Sequence, residues 1–271
     1  MTQKTIYNSL VSDISQRFKV YRQVEAIALG GSQTSGTIDQ YSDIDLYIYV
    51  TKEIPVAERQ KIVEELGASR QDLGLTFWDC GDEWFHRETG IEIDIIFWDP
   101  KWIEEQIERV VIHHQATVGY TTCFWHTIKQ SKIFFDRNSW FKKLKEKCDI
   151  PFPLQLKKNI INKNFPVLRD VIPSYYYQIK KAIDRLDMIS INHRVAALLA
   201  SYFDVLFAVN EVTNPGEKKI LPYALHTCDN LPDNMPAHIE EALFAASAHP
   251  AALLDKLDML IDGLEGLLHS D

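Results

Sequence analysis

Asp43 and Asp45 alternate with apolar Ile44 and Leu46 in the β-branched and aromatic run IDLYIYV. Along a strand such residues project to the same side, with Cα atoms roughly 6.5 Å apart, twice the rise per residue. Two carboxylates at that separation suit a hard cation such as magnesium, which takes few carboxylates, keeps waters and prefers substrate phosphates. Upstream, a short apolar run ends in Gly30-Gly31-Ser32. Glycines let a backbone approach closely, so successive N–H groups and the Ser32 hydroxyl suit a phosphate tail. Further along, Glu92 and Asp94 alternate with Ile91, Ile93 and Ile95. That strand has one acidic and one apolar face, and it offers a third carboxylate to the pair.

These residues need strands to aim them. Residues 24–29 and 44–50 read as two strands joined by a polar, glycine-bearing loop. An opening helix carries Ile6, Leu10, Ile14 and Phe18 on one stripe, and residues 56–66 have helical spacing. A weaker strand is expected around residues 73–78. Residues 83–87 and 91–98 flank the hairpin turn Glu88-Thr89-Gly90. Asp99-Pro100 opens a helix running to Val111, with Pro where its missing N–H does no harm. Residues 121–130 read as a helix and residues 132–136 as a last short strand.

Pro151 and Pro153 mark a linker, after which only helical periodicity remains. Val195, Leu198, Leu199, Tyr202, Leu206 and Val209 form one stripe. Ile179, Ile183 and Leu186 form a second, and Leu253, Leu257, Leu260, Leu264 and Leu267 a third, as in an antiparallel bundle. The expected architecture is α/β (α+β): residues 1–150 with a small mixed, mostly antiparallel sheet flanked by helices, and residues 151–271 as an all-helical bundle. The active site is expected in the cleft between them.

Composition narrows the partners. The 271 residues are 46% hydrophobic and 25% charged, the balance of an ordinary globular chain. Lys plus Arg is 29 and Asp plus Glu is 38, a net charge of −9, which argues against long nucleic acid as a partner. The cysteines, Cys80, Cys123, Cys148 and Cys228, form no CxxC or Cys/His metal spacing. No run reaches membrane-spanning length, and the first residues lack a signal peptide's apolar stretch, so the cytoplasm is the expected address. No GxxxxGK[ST] loop exists, and Gly30, Gly31 and Gly36 do not make GxGxxG.

The order hydrophobic residue, Gly-Gly-Ser, loop, Asp-x-Asp, later acid resembles the nucleotidyltransferase superfamily that includes DNA polymerase beta, and within it the aminoglycoside and lincosamide nucleotidyltransferases. Leu29, Gly31, Ser32, Asp43 and Asp45 match that pattern, and Asp94 matches its third acidic residue. The resemblance covers about the first 150 residues well and the helical remainder more loosely. It implies nucleotide binding at Gly30, Gly31 and Ser32, and two Mg2+ ions held by Asp43, Asp45 and Asp94. It further implies transfer of a nucleoside monophosphate, AMP first, from ATP or another NTP to a hydroxyl of a small-molecule acceptor, with release of pyrophosphate. An aminoglycoside or lincosamide is the acceptor it suggests. Asp94, or Glu92, would take the hydroxyl proton. The segment NEVTNPGEKK is similar to one whose lysine meets the triphosphate in relatives, which implicates Lys218 first and Lys219 second. The competing expectation is an antitoxin or regulatory protein of the same fold that binds or AMPylates a protein partner.

Other features carry a bland reading beside the functional one. His113, His114 and His126 lack ligand spacing. Tyr175, Tyr176 and Tyr177 pack more readily than they stack on a ligand. Asp184, Asp187 and Asp204 suit a cationic acceptor or plain solvation, and Asp204, between Phe203 and Val205, is the hardest to dismiss as surface charge.

Overall fold

The computed structural model describes residues 3–30 and 43–269, in two compact units. Residues 1–108 and 127–150 belong to one; residues 109–126 and 151–271 belong to the other.

The first unit is built on a six-stranded sheet. Its strands are β1 (Val24–Leu29), β2 (Ile44–Val50), β3 (Ala68–Leu75), β4 (Gly81–His86), β5 (Glu92–Trp98) and β6 (Lys132–Asp136), in the order β3-β4-β5-β2-β1-β6. β2 and β5 run parallel, and the other four ladders are antiparallel. This is the mixed, mostly antiparallel sheet expected from sequence. β3 begins earlier than its apolar residues suggest, because it is an edge strand with little alternation in burial and its ladder with β4 defines it.

Alternation sorts the two faces. Ile44, Leu46, Ile48, Ile93 and Ile95 are buried with Val11, Ile14 and Phe18 of α1 (Gln3–Phe18). On the opposite face, the buried Tyr49 ring packs on Phe141 of α5 (Trp140–Cys148) at 4.9 Å and on Trp98 at 6.1 Å. α5 was not anticipated from sequence, although Phe141, Leu144 and Cys148 are buried at helical spacing. α2 (Val56–Glu65) contributes Arg59, which is buried. Its Nε donates to the Ile54 carbonyl at 2.9 Å, its guanidinium pairs with buried Asp82, and it lies 4.8 Å over the Phe97 ring. Gly74 N–H also donates to Asp82, at 2.9 Å. Burial raises the Asp82 carboxyl, opposed by the Gly74 bond and then by Arg59. α3 (Pro100–Val111) starts where Asp99 accepts from the Lys101 and Trp102 N–H groups at 2.8 and 3.0 Å.

The second unit is helical. It contains α6 (Leu154–Asn164), α7 (Tyr175–Asp184), α8 (Met188–Val209), α9 (Ile220–Thr227), α10 (Met235–Ala248) and α11 (Leu253–Leu268); α4 (Cys123–Gln130) precedes β6. α8 is its centre, with Val195, Leu198, Tyr202, Leu206 and Val209 buried against Ile179, Leu257, Leu260 and Leu264. α8 starts earlier than the periodicity indicates, because Asp187 caps it by accepting from Ser190 N–H at 3.1 Å. Leu186 does not join the α7 stripe: it lies past the helix end with φ 56° and is exposed. α10 was not anticipated either, since its alanine-rich face gives little apolar contrast. Among the described residues, no helix is long and apolar enough to cross a membrane.

Candidate active site

The sequence places Asp43 and Asp45 where β2 begins and Glu92 and Asp94 where β5 begins, two residues apart in each case, and the ladder decides whether they meet. Asp45 and Asp94 are register partners in the parallel pairing of β2 with β5. Partners in adjacent strands project to the same face about 4.8 Å apart. Ile44 and Ile93, the pair before them, are fully buried on the other face. Core formation on one side therefore turns both aspartates to the other. Asp43, two residues ahead of Asp45, shares that face by alternation and is half-buried, as are Asp45 and Asp94.

The antiparallel pairing of β4 with β5 sets Glu83 opposite Asp94, and that of β3 with β4 sets Asp72 opposite Glu83. Asp45, Asp94, Glu83 and Asp72 thus form a row across four strands. Glu83 was not singled out from the sequence. Counting outward from the Glu88-Thr89-Gly90 turn pairs residue 84 with residue 94; the connection also includes Arg87, with His86 N–H donating to the Ile91 carbonyl at 2.9 Å, and that one-residue shift sets Glu83 opposite Asp94. Glu92 is exposed at the start of β5, opposite Phe85.

One phenol reports on the charges. Burial raises Tyr47, and Asp45, Asp94, Asp79 and Asp43, in that order, raise it further. All four carboxylates therefore lie within electrostatic reach of one hydroxyl, and Asp79, just before β4, is a second residue the sequence did not single out. The Tyr47 ring stacks on Trp98 at 4.4 Å and 15°. On its β1 side sits Gly30, whose N–H donates to the Asp45 carbonyl at 3.0 Å. Gly31 and Ser32 lie outside the described residues.

Like charges directly opposite one another in a sheet are destabilising, and a cation offsets that cost. The donors here are all carboxylate oxygens, the chemistry that suits magnesium rather than a soft metal. Among the described residues, no group of three or more His, Cys, Asp or Glu side chains is gathered closely enough to hold a metal as it stands. The face nonetheless has the donor type and register for a cation carried in with phosphate oxygens, which supply the rest of the shell.

In the second unit, Lys218 and Lys219 are exposed just ahead of α9, and Lys219 has φ 54°. The loop leading to them is held from beneath. Asp204 is buried in α8 and accepts from Thr121 N–H at 3.0 Å, Asn214 Nδ2 at 3.1 Å and Asn164 Nδ2 at 3.4 Å. Burial pushes its carboxyl up to about 6 against these hydrogen bonds. A residue buried in this way is a structural acceptor rather than an exposed contact for a cation. Asp184 and Asp187 are exposed, and Asp187 is engaged as the α8 cap. His126 Nδ1 is 2.9 Å from Thr213 Oγ1, and the Tyr176 hydroxyl donates to Asp258 at 2.9 Å.

No curated protein matches the chain. Among solved structures, a nucleotidyltransferase-like protein from Exiguobacterium sibiricum 255-15 is similar over 97% of this chain and 74% of its own, at 12% identity and a TM-score of 0.44. Residues 8–117, which contain Asp43, Asp45, Glu83 and Asp94, match the family model of the nucleotidyltransferase domain.

Proposed function

We propose that the chain is a metal-dependent nucleotidyltransferase that moves a nucleoside monophosphate, AMP first, from an NTP to a hydroxyl of a small-molecule acceptor and releases pyrophosphate. The observation that carries this reading is the register of Asp45 with Asp94 on the half-buried acidic face, within the segment that matches the nucleotidyltransferase model.

In this reading residues 1–150 are catalytic and residues 151–271 lie on the acceptor side. Gly30, Gly31 and Ser32 receive the triphosphate through backbone N–H groups and a hydroxyl. Asp43, Asp45 and Asp94 hold divalent cations, two Mg2+ in the resemblance to polymerase beta relatives. Bound there, the cations neutralise charge that develops on the phosphoryl oxygens and on the leaving pyrophosphate. Asp94 or Glu92 takes the proton of the acceptor hydroxyl as its oxygen bonds to the α-phosphorus. Lys218 and Lys219 supply positive charge to the phosphates. Tyr47 and Trp98 wall the face with aromatic surface that excludes water from one side. The free thiols suit a reducing cytoplasm.

An aminoglycoside or lincosamide is the first acceptor to try, on the resemblance of the Gly-Gly-Ser and Asp-x-Asp motif alone. ATP labelled at the α-phosphorus, offered with Mg2+ and a panel of hydroxylated amines and sugars, tests the reading. Label is expected on one small acceptor and lost in Asp45→Asn. Label on a protein partner would favour the AMPylating alternative, and unchanged transfer by Asp45→Asn would remove the assigned chemistry.

A further inference from the structure

We propose that the turn between α7 and α8 docks the protein on an anionic phospholipid surface. Leu186, Met188 and Ile189 enter the interface, and Lys180, Lys181, Arg185 and Arg194 meet the headgroups. The inference concerns the second unit alone and is independent of the nucleotidyl-transfer reading.

The turn holds a strained leucine that adds nothing to the core. At the end of α7, Leu186 N–H donates to the Ile183 carbonyl at 3.0 Å and Asp187 N–H to the Ala182 carbonyl at 2.9 Å. This pair of bonds closes a helix around one left-handed residue. Glycine is the usual occupant, because a Cβ is strained in that conformation. Here the residue is leucine, with φ 56° and a side chain 86% exposed, outside the apolar cluster of the unit. Met188 and Ile189 then open α8, and Ile189 is 77% exposed. Asp187 is engaged as the helix cap, accepting from the Ser190 N–H at 3.1 Å and from its hydroxyl at 2.6 Å. Three large apolar side chains are thus presented within four residues at the end of a packed helical pair.

Charge decides what such an end can meet. Lys180, Lys181 and Arg185 precede the apolar residues and Arg194 follows them in α8, all exposed. Residues 180–194 carry these four cations against two acids, Asp184 and Asp187, in a chain whose net charge is −9. Apolar side chains ringed by cations suit an interfacial anchor. The apolar groups enter the acyl boundary, while Lys and Arg lay their stems along it and keep their charged heads at anionic headgroups. A bilayer takes up side chains that splay from a turn without a groove shaped to receive them. The exposed pair Phe77 and Trp78 lacks this setting: Asp79 is next to it, and no Lys or Arg occurs between Arg70 and Arg87. An anionic surface would repel that end of the first unit's β3–β4 hairpin.

Co-sedimentation of the full chain with phosphatidylcholine vesicles, with and without phosphatidylserine, tests this. Binding is expected only with phosphatidylserine and should weaken as salt rises. Leu186→Ser/Ile189→Ser should weaken it by about tenfold at unchanged charge, and Lys181→Glu/Arg185→Glu should abolish it. Leu186→Gly separates docking from a structural role: glycine relieves the strained φ, so the unfolding temperature should hold or rise while vesicle binding falls by about threefold. That variant also carries the comparison if the serine double fails to fold. Phe77→Ser/Trp78→Ser should bind as the wild type does. Absence of phosphatidylserine-dependent binding at low salt overturns the proposal, as does unchanged binding in the Leu186 and Ile189 variants or its loss in the Phe77/Trp78 variant. Wild-type self-association that Leu186→Ser/Ile189→Ser abolishes, with no binding to vesicles, would make this end a contact between copies of the chain and sink the membrane reading.

Discussion

A Cβ built on Gly30 falls 2.3 Å from Cε2 of Tyr47 and 3.1 Å from its Cδ2. The ring cannot retreat, because its far side stacks on Trp98 at 4.4 Å. Gly30 is therefore required by the Tyr47 ring as well as by any phosphate it meets. Gly30→Ala is expected to destabilise the protein by about 1–3 kcal/mol, the usual cost of overpacking, in urea unfolding. Tyr47→Ala made in the same background should recover part of that loss. Additive losses would show that the two residues do not compete for the same space.

Asp45 and Asp94 oppose each other at one register position, so neutralising either has opposite effects on chemistry and stability. Asp45→Asn should reduce turnover by about a thousandfold or more if it holds the cation. The same change should raise metal-free stability by about 0.2–1 kcal/mol, since it removes a like-charge pair from the sheet. Thermal unfolding with and without Mg2+ checks both: the ion should stabilise the wild type and leave the variant unmoved. A variant less stable than wild type without metal would count against the opposed charges.

Arg59 and Asp82 make a buried ion pair that ties α2 to β4, and β4 carries Glu83 into the acidic row. Removing one partner leaves the other charge buried and unpaired, which costs about 3–5 kcal/mol. Arg59→Leu should lose that much in chemical denaturation, and Arg59→Leu/Asp82→Leu distinctly less. Equal losses would mean that packing of the guanidinium over Phe97, not charge pairing, dominates.

Asp204 is an acid whose folded-state value is raised, to about 6, from the ordinary carboxylate range near 4. The folded protein then binds more protons than the unfolded chain between those values. Its contribution to stability is fully present below about pH 4 and is lost as pH rises through about 6, a change of roughly 3 kcal/mol. Asp204→Asn has no such proton to lose. The stability of wild type minus that of Asp204→Asn, from urea midpoints, should therefore fall between pH 4 and pH 6.5 and then level. A flat difference would place the carboxylate in a well-solvated setting.

Glu83 faces Asp94 across an antiparallel pair. If it shares the cation or the acceptor proton, Glu83→Gln should lower kcat by about tenfold to a hundredfold with small change in unfolding temperature. Wild-type kcat in that variant would leave Glu83 as an ordinary half-buried side chain of β4.

The elements around the acidic motif were legible because their signals are local. Alternation of Ile44, Asp45 and Leu46, and of Ile93, Asp94 and Ile95, is enough to give each strand an acidic and an apolar face. Asp99-Pro100 marks a helix start by its own side-chain and ring chemistry, and glycine at 90 marks a turn. α10 and α5 escaped, one for lack of contrast between its faces and the other because it is short and lysine-rich. Leu186 was misplaced in the α7 stripe because periodicity continues in the sequence where the backbone turns.

What the sequence determined by itself is the identity and local direction of the carboxylates, since a period of two is a property of one strand. Which carboxylates oppose each other was decided by tertiary structure. Register between β2 and β5 is set by burying Ile44 with Ile93 and Leu46 with Ile95, and the hairpin turn then delivers Glu83 to Asp94. The role of Asp204 was decided in the same way. A lone acid in an apolar helix carries no record of its partners, because Thr121, Asn164 and Asn214 come to it from distant parts of the chain, and only the packed core makes their N–H groups need an acceptor at that point.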